Sequence, residues 1–356
     1  MQHQERMSMR DDVVGRCVPT IVGITTLVLA ACTSSGATSG LDSTPPTGSL
    51  TASSGATSSH NDSIDLSSLR GRIAFSAGAP LHEDIYIMKA SGNALAQVTR
   101  DPAADFDPTW SPEGTQIAYR HQAGPHTTQT DIFVTAVGGG EPTDLTMSLG
   151  VSDWGPAWSP VGAWIAWNSM RDDPRSGVLH GFLMHPDGSG VRRITDEIWV
   201  EYPAWSPDGR KIAFMAQEPG ASGLDPDYNI YVMNADGSGI TKLTNGPGTE
   251  GFPAWSPDGT QIAFSSTQED CSNTDDPGCL STGDIGPFYA LFVMNADGSG
   301  QTRLTDTFAQ LMDWSPNGRF IVFNGRDGLN VIRADGSAVT TVPIALQDPS
   351  FPDWIA

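Results

Sequence analysis

Apolar residues along this chain come in short alternating runs, and each run ends at a turn phrase. "QIAFSS" (Gln261–Ser266), "NIYVM" (Asn229–Met233) and "ITKLT" (Ile240–Thr244) read as strands, with period-two alternation and aromatic or β-branched residues. Two kinds of punctuation separate them. One is Ser-Pro-Asp-Gly after a tryptophan, as in "WSPDGTQIAF" from Trp255. Ser suits the first position of a type I turn, Pro presets the next φ, and Gly closes it. The other is a hairpin phrase such as "NADGSG" (Asn295–Gly300), in which Gly supplies positive φ.

The first phrase recurs. "WSPEGTQIAY" begins at Trp110, "WSPVGAWIAW" at Trp158, "WSPDGRKIAF" at Trp205 and "WSPNGRFIVF" at Trp314. Successive tryptophans, with Trp255 in its place, are 48, 47, 50 and 59 residues apart, and Trp354 follows 40 later. Each unit predicts four strands: one ending at the Trp, one on the "IAF" run, a third such as "DIYIM" (Asp84–Met88), and a fourth such as "ITKLT". Four-stranded units at this period predict the blades of a β-propeller rather than a sandwich. The ends fit together. "RIAF" (Arg72–Phe75) matches a second strand with no phrase before it, and "FPDW" (Phe351–Trp354) matches a first strand with no second after it. Pairing them in one composite blade seals the ring and removes an open edge. The expected fold is all-β, a six-bladed propeller over residues 69–356.

These residues resemble the TolB-type, WD40-like β-propeller repeat family, whose mark is Trp-Ser-Pro-Asp-Gly followed by "xIAF". Glu113, Val161 and Asn317 depart from it at the Asp position, where a turn tolerates them. TolB proteins also carry a small N-terminal α/β domain through which they engage partners. Here the linker is expected to run straight into the propeller, which argues against a role in the Tol system.

Arg6, Arg10 and Arg16 precede the apolar run Val18–Ala31, which suits a secretory signal and is too short for a comfortable membrane span. Leu29-Ala30-Ala31-Cys32 resembles a bacterial lipobox, which implies cleavage after residue 31 and lipidation (palmitate) of Cys32. Residues 32–68 are mostly Ser, Thr and Gly, and read as a flexible tether that cannot bury enough surface to fold. The mature chain keeps Cys271 and Cys279 in one loop, a pair expected to form a local disulfide in an oxidising compartment. The expected location is extracytoplasmic, anchored by lipid to the cell membrane, or to the outer membrane of a cell with two.

Charge then narrows the partners. Formal net charge is −22, from 41 acids against 19 bases. No Lys/Arg cluster of the kind that seeks phosphate backbones appears, so nucleic acid is not an expected partner. A cationic ligand or a bound metal fits the balance. The short turns share one face of the ring, and the variable connections share the other, which is the candidate binding face. Asp101, Asp105, Asp107, Asp172, Asp173, Glu197, Glu201, Asp225, Asp227, Asp275, Asp276 and Asp284 map to it. These are expected as a solvated surface or as oxygen ligands for a cationic peptide or Ca²⁺. Trp154, Trp199, Tyr202, Phe252 and Phe351 fall at the starts of inner strands, either as packing between blades or as a stacking platform.

His82, His121, His126 and His180 are assigned to second-to-third-strand loops of three successive blades, where imidazoles could hold a transition metal. Some propeller lyases acting on pectin fragments resemble that arrangement. Against catalysis stand the absence of a Gly-x-Ser-x-Gly elbow and of a phosphate-binding loop opening a helix. The leading expectation is therefore a monomeric, non-catalytic scaffold binding an envelope protein, peptide or carbohydrate. The alternatives are a metal-dependent carbohydrate lyase or hydrolase, and a sensory or accessory subunit of a membrane complex.

Overall fold

The computed structural model describes residues 63–124, 127, 129–147, 150–172, 174, 178–196, 198–217, 228–246, 248–267 and 289–356. Cys32, Cys271 and Cys279 lie outside them. The described strands form six four-stranded antiparallel sheets. Blade 1 holds Arg72–Ala79, His82–Lys89 and Ala96–Gln97, with Ser350–Ile355 as its innermost strand. Blade 2 runs Ala104–Trp110, Gln116–Gln122, Thr130–Ala136 and Thr143–Asp144, and blade 3 runs Asp153–Trp158, Ile165–Ser169, His180–Met184 and Arg192–Arg193. Blade 4 is Glu201–Trp205, Lys211–Gln217, Tyr228–Asn234 and Thr241–Lys242; blade 5 is Glu250–Trp255, Gln261–Ser266, Ala290–Asn295 and Thr302–Arg303. Blade 6 is Gln310–Trp314, Phe320–Gly325, Gly328–Arg333 and Val339–Thr341. Each innermost strand packs against those of both neighbouring blades, so the ring closes.

The core lies in and between blades. The aromatic of each "IAF" run is fully buried: Phe75, Tyr119, Trp167, Phe214, Phe264 and Phe323. In blades 1 to 5 it faces an aromatic across the ladder, from Phe75 on Tyr86 at 6.0 Å to Phe264 on Phe292 at 5.6 Å between centroids. Burying each ring contributes about 1.5–3 kcal/mol, and each pairing adds about 0.5–1.5 kcal/mol. The repeat tryptophans are buried too, and three of them link blades. Indole Nε1 of Trp205 donates to Ala157 O at 3.0 Å, Trp314 to Ala254 O at 3.1 Å, and Trp110 to Asp353 O at 3.1 Å.

The fourth strands are shorter than their sequence pattern predicts. In "ITKLT" only Thr241–Lys242 pairs as a strand. Thr244 leaves the ladder so that its hydroxyl accepts from Ile230 N at 2.9 Å. Thr99, Thr195 and Thr305 do the same for Ile85, Gly181 and Leu291. A side-chain cap thus replaces the last backbone bonds of these four blades.

The seam is the composite blade. Ile73 pairs with Trp354, and the indole of Trp354 donates to Arg70 O at 2.9 Å. Gly71 (φ +94°) must be glycine, because a Cβ there would collide with the Ile355 carbonyl. Backbone N–H of Trp354 donates to Asp313 at 2.6 Å, and that of Trp110 donates to Asp353 at 2.7 Å. The two carboxyls, half-buried in the wall of the ring, lie close enough to interact with each other. Burial and the adjacent Asp353 charge hold Asp313 well above the usual carboxylate range, and burial raises Asp353 as well. A carboxyl raised in this way stabilises the fold fully below its unfolded value. That contribution is lost as pH rises through the folded value. Replacing Asp313 by Asn keeps a neutral donor and removes the titration. The thermal midpoint of the native protein should therefore fall relative to D313N as pH rises from about 4 towards neutrality. Parallel pH profiles of the two midpoints would refute the raised carboxyl.

Candidate functional site

Three residues before each repeat tryptophan, the innermost strand carries a bulge. The residue there has positive φ in every blade: Asp107 (+52°), Gly155 (+55°), Tyr202 (+47°), Phe252 (+54°), Leu311 (+48°) and Phe351 (+52°). Five of the six are not glycine, and a left-handed conformation costs such a residue about 1–2 kcal/mol. Each sits beside a ladder irregularity, for example between Glu201 and Ala204 or between Gly251 and Ala254. A bulge of this kind re-aims a side chain. Here the six residues, with the one that follows each, line a central cavity of about 130 Å³.

Aromatic rings close the bore at this level. Tyr202 lies 4.7 Å from Phe252 and 6.2 Å from Phe351, centroid to centroid. Tyr202 belongs to blade 4 and Phe351 to blade 1, so rings from opposite sides of the propeller meet. Burial raises the Tyr202 phenol far above its usual range, so it stays protonated. Asp107 is the acidic member of the wall. Arg120 Nε lies 3.0 Å from its Oδ2, and the guanidinium rests 4.5 Å from the Phe106 ring. Burial raises Asp107, and the Arg120 charge opposes the shift. Neither Asp107 oxygen completes a hydrogen bond among the described residues.

A second tier of carboxylates is buried around the same mouth, each held by its own chain. Asp105 Oδ1 meets His121 Nδ1 at 2.8 Å. Asp153 accepts from Trp167 Nε1 at 3.1 Å and pairs with Arg171 at 2.8 Å. Glu201 accepts from Trp199 Nε1 and from the Tyr228 hydroxyl, and burial outweighs both donors to raise its pKa. Glu250 accepts from Thr244 at 3.3 Å and Ser266 at 3.4 Å. Register explains the placement, since Asp105 faces His121 and Glu250 faces Ser266 across the first two strands of their blades. Of the acids assigned to this face, Asp101 and Asp172 are exposed. Asp173, Glu197, Asp225, Asp227, Asp275, Asp276 and Asp284 lie outside the described residues.

Trp154 is partly exposed opposite Asn168, and neither it nor Trp199 lines the central cavity. The histidines stand on strands rather than in loops. His82 and His180 begin third strands, His121 is near the end of a second strand, and His126 lies outside the described residues. Among the described residues, His82 and His180 do not gather with His121. The potential ligand group is instead Asp101, Asp105 and His121, whose ligand atoms lie within 4.8 Å of one another. Two carboxylates and an imidazole suit a divalent transition ion, with Asp105 and His121 already in mutual hydrogen bond.

Leu311, Gly155 and Arg120 were not among the residues picked out from sequence. The signal for the first two is positional. The pattern x-Pro-x-Trp marks the bulge residue in blades 1 to 5, and Leu311 occupies the same place before Met312.

A family model described as the TolB beta propeller domain matches residues 54–224 and 199–273. The chain belongs to the TolB beta propeller family. Among solved structures, TolB from Acinetobacter baumannii superposes with a TM-score of 0.63 at 21% identity, covering 82% of this chain and 67% of that one. A candidate TolB from Agrobacterium tumefaciens gives 0.59 at 20% identity, over 81% and 99% of the two chains. The uncharacterized protein Atu1656 of Agrobacterium fabrum is 29% identical over 162 residues, 45% of this chain and 52% of its own. The chain thus spans about half the length of that curated relative. These likenesses establish a TolB-type propeller scaffold.

Within this scaffold the Asp105–His121 pair is open to direct measurement. Burial works against a charged His121, but the hydrogen bond and charge of Asp105 outweigh it and raise the imidazole above its ordinary 6.5. The D105N variant should bring the His121 pKa below its native value, read by NMR titration of the imidazole C–H signal. An unchanged pKa would mean that another group holds the proton.

Proposed function

We infer that this TolB-type propeller is a non-catalytic binding module, tethered outside the cytoplasmic membrane through lipidated Cys32, that captures a peptide segment of an envelope protein at the channel mouth. The observation that carries the reading is the central cavity walled by Tyr202, Phe252, Leu311 and Phe351, with the Asp107–Arg120 pair at its side. About 130 Å³ suits one apolar or aromatic side chain. The bulge repeated at these positions aims their side chains into one pocket, which supports a binding reading. Net charge of −22 favours encounter with a segment carrying basic residues beside its apolar anchor. Binding rather than chemistry is supported by Asp153, Glu201 and Glu250, whose oxygens are engaged by donors of their own chain.

Two experiments test this. In intact cells, a photo-crosslinking residue at Phe252 should capture an envelope protein, whereas the same probe at exposed Val161, on the turn face, should not. Peptides from the captured segment should bind the purified chain, and F252A or Y202A should weaken them by about tenfold or more. Equal capture from both faces, or full binding by both variants, would sink the mouth as the site. For the tether, Cys32→Ser should move the protein from the membrane fraction to the soluble one; retention in the membrane would remove the anchor from the proposal.

A further inference from the structure

On the face opposite the mouth, blade 1 departs from the repeat in charge. A cavity of about 480 Å³ is lined there by Ser67, Arg70, Arg72, Lys89, Ser91 and Asn93. Arg72 and Lys89 are direct cross-strand partners. Like charges placed opposite each other across a ladder are destabilising. The same register position in other blades avoids the clash: Gln116 faces Ala136, Lys211 faces Asn234, Gln261 faces Asn295 and Phe320 faces Arg333. In blade 3, Trp164 stacks on His185 at 4.1 Å. Only blade 1 sets two permanent cations face to face, and it adds a third in Arg70.

Acids outnumber bases by 41 to 19 in this chain, and other arginines find carboxylates. Arg120, Arg171, Arg193 and Arg303 pair with Asp107, Asp153, Asp196 and Asp306. Among the described residues none of Arg70, Arg72 and Lys89 has such a partner, and Ala356, which borders the cavity, is in ion-pair range of none of them. Two of the three are held in place nonetheless. Arg72 donates to Gly114 O at 2.9 Å and lies over the Trp110 ring at 4.5 Å. Arg70 donates to the carbonyls of Ser67 and Leu69, and its own carbonyl is pinned by Trp354. A guanidinium has five donors, so both keep donors to spare.

We propose that this cavity is an anion site for a phosphate group, with Arg70, Arg72 and Lys89 supplying charge and Ser67, Ser91 and Asn93 supplying neutral hydrogen bonds. The guanidinium forks match tetrahedral oxyanions, and the ammonium acts as a point charge. The phosphate is either a free anion or the headgroup of an acidic lipid. A bound anion relieves the Arg72–Lys89 opposition, which gives the arrangement its reason.

The test uses the purified full chain and two variants. R72Q installs the residue that blades 2 and 5 carry at this position, and K89S removes an exposed charge, so both should remain folded, as a cooperative melting transition would show. Inorganic phosphate, followed by ³¹P NMR line broadening, should saturate on the native chain. Each variant should weaken it about fivefold, and 0.5 M NaCl should weaken it further by screening, with a Debye length of roughly 4 Å. Flotation with vesicles separates the sources. Stronger association with phosphatidylglycerol than with phosphatidylcholine vesicles, the excess lost in the double variant, identifies a headgroup; saturable phosphate with equal association to both vesicles identifies a free anion. Absence of saturable phosphate binding, or equal affinity in the native chain and both variants, overturns the site.

Discussion

The structure depends on a tryptophan that spans two blades. Its ring fills the core beside its own inner strand, and in Trp110, Trp205 and Trp314 the indole N–H reaches back to a carbonyl of the blade before, that of Asp353, Ala157 and Ala254. A blade by itself is a small sheet that cannot bury both faces; the indole fixes the distance and angle at which the next one must stand. Each such bond contributes only about 0.5–1.5 kcal/mol net. Repetition and the apolar burial that accompanies it make the ring rigid. Where the preceding residue offers an acceptor, as Thr109, Asp313 and Asp353 do, the neighbour's Trp backbone N–H is captured as well. The aspartates of the seam therefore do in blades 6 and 1 what alanine cannot do in blades 3 to 5.

Rigidity at that level permits strain three residues earlier. Tyr202, Phe252, Leu311 and Phe351 hold left-handed backbone between a fixed tryptophan three residues on and a ladder-paired residue just before, such as Glu201 opposite Met215 or Gly251 opposite Ser265. The result is an apolar floor inside an acidic protein, with one ion pair in its wall. Around it, the carboxylates that composition would credit to a ligand are spent on the propeller itself, on His121, Arg171, Trp199 and Thr244.

The fold was legible because its signals are local and repeated. Ser-Pro-Asp-Gly specifies a turn wherever it stands, and the aromatic of "IAF" marks the buried side of the second strand. The site was legible in outline only. Placing Tyr202, Phe252 and Phe351 before the inner strands followed from the repeat, but that they touch across the bore depends on a bulge with no residue type of its own. Arg120 carries no signal of its own in the sequence, since only the bulge after Phe106 brings Asp107 to its guanidinium. The four histidines looked like neighbours through loop assignment. Among the described residues, His82 and His180 do not gather with His121, which pairs with Asp105 instead.

The composite blade carries a consequence for how the molecule reaches this state. Strand Arg72–Ala79 is the first of the described strands, yet its inner neighbour, Ser350–Ile355, is the last of them. Until that strand arrives, blade 1 presents an unpaired edge and the Arg70 carbonyl lacks its indole. Blades 2 to 6 can form in order as the chain emerges, each from near neighbours in sequence. Closure cannot, because its loop spans nearly the whole domain and the entropy of bringing the ends together must be met in one step. The ring is therefore expected to fold as an open arc followed by one slow latching event. In that arc the exposed edges at its two ends are each other's correct partner.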